Sequence, residues 1–355
     1  DGIRDLVRSR GLGDVYKRQV FIITSLILMQ EFGLSVSGLL AFGGVGGLVV
    51  GLAAKDLLSN LFGGLMIYFD RPFKVGEFIK SPDRNIEGIV ESIGWRLTVV
   101  RTFSKNVLYI PNSYDGTSSV PLMLNFHGFG GSASDYIREA AMRSLAEAET
   151  FILIYPQGSS LDGLPHWNAC PLGGDNKSDA DDFGFIEAII NEISSQYNLD
   201  MERIYAAGYS NGGMMAYGLA NYKSDLVAAV ASVSGVMLEC IGSTSHPMPV
   251  LHLHGTSDGV LPYNGNGYWS SVQNTLDYWI NFNNTIITPT ISNDNSGRIS
   301  IEHYVYDQGD NSVSVEHYKY IGGEHNWFNT NYQGKSTSEI VWNFVSQYDI
   351  NGLRQ

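Results

Sequence analysis

The sequence predicts an α/β fold with a mostly parallel sheet and helices on both faces, preceded by a membrane-spanning helix and a small β segment. Three observations carry that reading. From residue 114 onward, short apolar runs alternate with stretches of helical spacing, the pattern of parallel strands buried on both faces. Before that point, residues 35–54 form a run of twenty without a single charge, long enough to cross the roughly 30 Å of a bilayer core. The charge changes at the same place: residues 1–113 carry a net +3 and residues 114–355 a net −17, within a total of −14. Halves so different imply different surroundings, and the acidic half should be repelled by nucleic-acid phosphates.

The 355 residues divide accordingly into residues 1–19, 20–69, 70–113 and 114–355. The first segment, "DGIRDLVRSRGLGDVYKRQ", is polar and has no apolar core followed by a cleavage site, so it is not a signal peptide. It reads as a non-native leader, similar to adapter-derived sequence. The next segment opens with "VFIITSLILMQ", too short to cross alone. It continues into a run whose middle is crowded by Gly43, Gly44, Gly46, Gly47, Gly51, Ala53 and Ala54. Small residues let membrane helices approach closely, so this helix should pack against copies of itself. Leu48 and Leu52 are four apart on one face, and a ring of them would form a dewetting constriction. Arg71 and Lys74 follow directly, as on a cytoplasmic side.

In the acidic part, "VPLMLNF" reads as a buried strand ending in "HGFGG". "RSLAEAE" is helical, "FILIYPQG" a strand, and "DFGFIEAIINEISSQYN" an amphipathic helix. "RIYAAGYSNGGMMAYGLA" reads strand, tight turn, helix. "LVAAVASVSG" and "PVLHLHGTSD" are further strands, and "GYWSSVQNTLDYWINF" and "STSEIVWNFVSQY" are helices. "NDNSGR" is expected to be a loop.

The chemistry-bearing residues fall at strand ends. "GYSNG" at 208–212 is a G-x-S-x-G between a strand and a helix, the setting that lifts a serine hydroxyl out of the sheet. Ser210 needs a base to act as a nucleophile. Asp258, after the strand in "HLHGTSDG", and His325, in the "IGGEHNWF" loop, follow it in the order serine, aspartate, histidine. Asp307 and Asp310 lack the strand context, while His303 and His317 sit within alternating strands and are expected at the surface. Donors for a developing oxyanion are expected from the Asn211 amide and from the "HGFGG" loop, with the Phe129 amide preferred and Gly130 second. His252 and His254 point to one strand face and read as structural, and no Cys/His cluster suggests a metal. Cys170 and Cys240 are either a disulfide or two buried thiols.

Two resemblances extend this reading. "GLVVGLAAKDLLSNLFGGLMIYFDRPFKVGEFI" with "GIVESIGWRLTVVRT" and "VLYIPNS" resembles the pore helix and β-domain of MscS-type mechanosensitive channels, over about residues 20–113. That implies pore-lining Leu48 and Leu52, an inner-membrane location through 20–69, and homo-oligomerisation. Asp56 stands where some members carry glycine at a helix kink. The family's earlier helices and later domains have no counterpart, so the segment reads as a channel fragment. "PLMLNFHGFGG", "IYPQG", "WNAC", "DDFGFI", "RIYAAGYSNGGMMAY", "PVLHLHGTSDGVLPY" and "GGEHNW" resemble the polyhydroxybutyrate depolymerase/feruloyl esterase-like α/β-hydrolases, over about 107–355. That implies an exported carboxylic-ester hydrolase without cofactor, with Ser210, Asp258 and His325 as its triad. It gives weight to a Cys170–Cys240 disulfide, and offers Trp167, Trp269 and Trp327 for an aryl- or sugar-ester cleft.

"YIPNS" closes one pattern and opens the other. The chain therefore reads as a chimera of two unrelated reading frames, a soluble esterase whose small or polymeric ester substrate is unnamed, fused to a truncated channel. The alternative is a channel carrying the hydrolase as an assembly artefact. At the seam, residues 107–111 are expected to pair beside 120–125 and complete the hydrolase sheet.

Overall fold

The computed structural model describes residues 2–33, 36–81, 86–94, 98–171 and 173–355. Ser35, at the start of the uncharged run, and residues 95–97 of the channel-like motif lie outside them, as does the Asp56 side chain. The chain divides into two compact units, Asp1–Arg71 with Gly94–Leu97, and Pro72–Ile93 with Thr98–Gln355.

The first unit is helical. Helix Gly2–Glu31 runs from the leader into the first apolar stretch, and helix Val36–Asp70 carries the small-residue segment. The expectation of one membrane-crossing helix is corrected here. Among the described residues no single helix is long and apolar enough to cross a membrane. Gly43–Lys55 and Leu57–Asp70 pass by length and composition only together, bent by 47°. The break falls at Asp56, after Lys55, so the charged pair interrupts the apolar run where the resemblance places its kink. Leu48 and Leu52 are both 64% exposed.

The second unit begins with the small antiparallel sheet Phe78–Ser81, Ile86–Ile93 and Thr98–Thr102. It continues into a nine-stranded sheet. The order is Thr290–Asp294, Ile301–Tyr306, Val315–Tyr320, Val250–Gly255, Ala229–Val233, Leu199–Tyr209, Val120–Phe126, Ile152–Tyr155, Val107–Tyr109. The six strands from Val315–Tyr320 to Ile152–Tyr155 run parallel; both edges are antiparallel. Successive residues of the central strands feed opposite faces. Leu122, Leu124 and Phe126 pack with helices Asp182–Gln196, Asn211–Tyr222 and Val272–Phe282, while Met123 packs with Ala133–Ala140, Arg143–Glu149 and Thr337–Val345. This is the sandwiched, mostly parallel sheet predicted, with helices on both faces. "NDNSGR" is corrected in part: Asn293 and Asp294 end the edge strand, and the loop begins after them.

The seam differs from expectation. Val107–Tyr109 does join the large sheet, but it pairs with Ile152–Tyr155, which separates it from Val120–Phe126. The reason is that Val120–Phe126 already has a parallel neighbour on each side, Leu199–Tyr209 and Ile152–Tyr155, so on that side of the sheet the open position is the outer edge of Ile152–Tyr155. Tyr109 is held there by Glu147, whose carboxylate accepts from its hydroxyl at 2.8 Å and from the Asn112 amide at 2.9 Å.

A buried ion pair links the small sheet to the hydrolase layers. Arg101 donates to Asp182 at 2.6 Å, with side chains 8% and 0% exposed, and its guanidinium lies 4.1 Å from the centre of the Phe185 ring. Phe78, Phe103 and Phe185 stack in series at 5.9 Å spacings. Asp182 also accepts from the Asn168 amide at 2.6 Å, which ties the pair to the "WNAC" loop.

Candidate active site

Strand Leu199–Tyr209 runs straight into helix Asn211–Tyr222, with Ser210 alone between them at φ 55°, ψ −119°. That left-handed conformation is costly for a side chain, on the order of 1–3 kcal/mol, and is tolerated where the surroundings force it. Here the two glycines of the motif allow the forcing contacts. A Cβ on Gly208 would sit 2.3 Å from the Gly212 carbonyl carbon, and one on Gly212 would sit 2.1 Å from the Phe126 carbonyl oxygen. Strand, turn and helix are therefore packed backbone to backbone. Gly212→Ala is expected to fold poorly or melt far below the parent, whereas Gly267→Ala, with open space around its Cβ, should melt with it. Equal melting of all three in a circular-dichroism scan would contradict this packing argument.

The hydroxyl so raised meets the imidazole. His325 Nε2 lies 2.9 Å from Ser210 Oγ, and His325 Nδ1 lies 2.7 Å from Asp258 Oδ2. The three residues come from turns after three parallel strands, Leu199–Tyr209, Val250–Gly255 and Val315–Tyr320. Asp258 is fully buried, and its Oδ1 accepts from the Val260 and Leu261 amides at 2.8 Å each. Burial alone would raise its carboxyl. The hydrogen bonds from His254 and His325, with the Leu261 amide, outweigh burial and hold it well below the usual carboxylate range. A permanently ionised Asp258 keeps the Nδ1 proton on His325, so Nε2 is free to accept from Ser210. The Tyr209 hydroxyl donates to the His325 carbonyl at 3.0 Å, and Ser234 Oγ donates to the Asn326 carbonyl at 2.9 Å. The loop bearing the imidazole is thus anchored on both sides, and His325 itself stays 14% exposed.

The "HGFGG" loop lies against the serine: a Cβ on Gly128 would be 3.4 Å from Ser210 Cβ. The Gly130 amide is engaged, donating to the Pro165 carbonyl at 2.7 Å. Asn211 uses its side chain rather than its amide to organise the site. Its Oδ1 accepts from the Trp167 amide at 2.7 Å and its Nδ2 donates to the Trp167 carbonyl at 3.0 Å. His127 steadies the base of the loop, with Nδ1 at 2.8 Å from the Gly128 carbonyl and Nε2 at 3.0 Å from the Gly158 amide.

The tryptophans do not share one cleft. Trp167 is fully buried, with Nε1 donating to the His127 carbonyl at 3.1 Å. Trp327 is 4% exposed and packs edge-on against Tyr136 in the core on the opposite face of the sheet. Trp269 alone is half-buried, beside Leu261 and Met214. A bulky aromatic in this fold is core material wherever the sheet needs volume, so residue type alone overcounts binding tryptophans. Cys170 and Cys240 are joined in a disulfide, Cα to Cα 5.9 Å across 70 residues. His317, expected at the surface, is buried, with Nδ1 donating to the His252 carbonyl at 2.9 Å. The parallel pairing of Val315–Tyr320 with Val250–Gly255 makes that strand interior.

Comparison with known families divides the chain in the same way. The family model "Mechanosensitive ion channel, beta-domain" matches residues 56–120, and "Esterase PHB depolymerase" matches 104–265. The chain joins segments of two families. Their matches overlap across 104–120, which contains the seam. The channel-type segment is similar to the low conductance mechanosensitive channel YnaI of Escherichia coli (strain K12), 51% identical over 117 residues, 33% of this chain and 34% of that one. The esterase-type segment is similar to the bifunctional acetylxylan esterase/xylanase XynS20E of Neocallimastix patriciarum, 30% identical over 156 residues, 44% of this chain and 22% of that one. Among solved structures, an acetyl xylan esterase from Aspergillus awamori aligns with TM-score 0.49 and 18% identity, covering 62% of this chain and 88% of that one. The chain thus spans about a third or less of the length of these two curated relatives.

Sequence reasoning read His254 as structural and gave no role to Tyr209 or His127, all three of which contact the site's loops or side chains. Tyr209, His127 and His254 each border a motif residue, and a signal was present for one of them: His254 and Asp258 are four apart across a strand end.

Proposed function

We propose that the esterase-type segment is a serine carboxylic-ester hydrolase. The observation that carries this is the convergence of Ser210, His325 and Asp258 at 2.9 and 2.7 Å from three separate strand ends. Ser210 Oγ attacks the ester carbonyl while His325 Nε2 takes its proton. The Asn211 and Phe129 amides receive the oxyanion, and His325 returns the proton to the departing alcohol. Water, activated by the same imidazole, then attacks the acyl-enzyme and releases the acid. Ester bonds of acetyl-sugar, feruloyl or polyhydroxyalkanoate type are the candidate substrates, and the half-buried Trp269 packs with Leu261 and Met214, three and four residues along the chain from Asp258 and Ser210. The disulfide favours an oxidising compartment for this segment.

The test is p-nitrophenyl acetate turnover by the full chain against Ser210→Ala. A drop in kcat of at least about a thousandfold is expected, on the scale set by loss of a triad serine; equal rates would end the proposal. An activity screen over the three ester types then ranks the substrates.

A second reading concerns residues 20–69. The apolar side chains exposed along helix Val36–Asp70, Val45, Leu48, Val49, Val50 and Leu52 among them, support a segment covered by lipid or by further copies of itself, and the channel resemblance is what offers Leu48 and Leu52 as pore-lining. Patch-clamp recording under membrane tension tests it, and a silent membrane containing the protein counts against it.

A further inference from the structure

Asp258 serves two histidines. Its Oδ2 lies 2.7 Å from His325 Nδ1 and 3.2 Å from Nε2 of His254, which is wholly buried at the end of strand Val250–Gly255. His254 Nε2 also lies 2.8 Å from the Leu261 carbonyl oxygen. A carbonyl only accepts, so Nε2 carries a proton, and Nδ1 of the neutral ring must accept. It has a donor: His252 Nε2 is 3.2 Å away, the two rings stacked in parallel at 5.2 Å. His252 Nε2 therefore bears a proton, and its Nδ1 accepts from the Tyr217 hydroxyl at 2.6 Å. One backbone carbonyl thus assigns the tautomer of both rings, and the one Nε2 proton of His254, donated to that carbonyl at 2.8 Å, also faces Asp258 Oδ2 at 3.2 Å as its longer branch.

We propose that His254 is a positioning residue for the ester-cleaving centre, sharing its Nε2 proton between the Leu261 carbonyl and the same carboxylate oxygen that receives His325, with Tyr217 and His252 holding its tautomer. This rests on the reading of Ser210, His325 and Asp258 as the catalytic centre. A second donor on Oδ2 draws negative charge from that oxygen and moderates its hold on the His325 Nδ1 proton. Without it the carboxylate would stabilise the imidazolium of His325 more strongly and make that imidazole more basic. The groups facing His254 are few. They are His252 on its own strand, Asp258 in the turn and Tyr263 with its ring 6.0 Å away; Tyr217 on helix Asn211–Tyr222 reaches His252 instead. His317 on the neighbouring strand packs 5.5 Å from His252, and Lys319 lies beyond Tyr263, 6.0 Å from that ring. Burial drives His252 well below, and His317 down to about 3 from, the ordinary histidine value, so neither competes as a cation at neutral pH.

The experiment is the pH profile of kcat/KM for the full chain and for two variants. His254→Phe keeps a ring but loses the donor; His254→Gln keeps an amide N–H near the place of Nε2. The acidic limb, which reports His325 in the free enzyme, is expected to move up by about half a pH unit or more in His254→Phe and to return toward the parent in His254→Gln. A loss of stability alone would not move that limb. An unmoved limb in His254→Phe, with Ser210→Ala inactive, overturns the inference and leaves the esterase reading standing. Ser210→Ala as active as the parent removes both. Should His254→Phe fail to fold, nitrogen-15 spectra of the histidine-labelled parent decide: a proton on His254 Nε2 and none on Nδ1 from pH 6 to 8 supports the inference, and the reverse tautomer overturns it.

Discussion

Arg101→Met should lower the unfolding free energy by about 3–5 kcal/mol, the usual cost of breaking a buried ion pair from one side. The guanidinium is 2.6 Å from Asp182 and 8% exposed, and Asp182 is wholly buried. Methionine fills part of the space and keeps contact with Phe185, but it leaves a carboxylate without its cation in a low-dielectric core. The double variant Arg101→Met/Asp182→Leu should be closer to the parent than the single one, because replacing both charges removes the uncompensated one. pH adds a signed check. Burial already pushes the Asp182 carboxyl up against the pull of Arg101, and losing Arg101 pushes it further. A carboxyl raised in the folded state favours folding when protonated, and that contribution is lost as pH rises through the folded value. The gap between Arg101→Met and the parent should therefore narrow as pH falls. Urea unfolding at pH 5 and 8 measures it; a gap below about 1 kcal/mol at both would show that the small sheet is not anchored through this pair.

This pair also shows what a linear reading of the seam could not supply. Arg101 lies in a stretch that matches the channel β-domain, and Asp182 in one that matches the esterase family. Neither pattern alone predicts their contact, because each is complete in local terms and the contact spans 81 residues. Val107–Tyr109 fails in the same way. Its β character was legible, but which edge it joins depended on the sheet already having two neighbours for Val120–Phe126.

The convergence of the candidate triad was far more legible than the packing around it. Ser210, Asp258 and His325 each sit at a strand-to-loop junction, marked by glycines that only a sharp turn or close approach requires, and their order in the chain limits the partners. Trp167 and Trp327 carry no such mark, and their burial follows from the volume the two faces of the sheet must fill. His317 was misjudged because period-two alternation says which face a residue points to, not whether that face is covered. The helix Val272–Phe282, which shares that core with Val315, lies more than thirty residues upstream of His317.

Acid should unfold the second unit in a range set by buried neutral histidines, with a loss on the order of 5 kcal/mol between pH 7 and pH 4. His127 is held down to about 4 and His317 to about 3, burial being the main cause for each. Geometry gives the same sign. His127 Nδ1 donates to the Gly128 carbonyl, so Nε2 accepts from the Gly158 amide at 3.0 Å, and a proton placed on Nε2 would face another N–H. His317 repeats the arrangement, with Nδ1 donating to the His252 carbonyl and Nε2 at 2.9 Å from the Tyr263 hydroxyl. Unfolded, both rings return to the ordinary value of 6.5 and take up protons the folded chain refuses. Stability from these groups is therefore complete above about pH 6.5 and drains as pH falls toward 4 and then 3. Asp258, depressed in the folded state, adds a loss of the same sign once pH drops below the ordinary carboxylate range. Urea midpoints should fall steadily from pH 7 to 4.5, before most carboxylates titrate; a flat series over that interval would mean the two histidines are not held neutral.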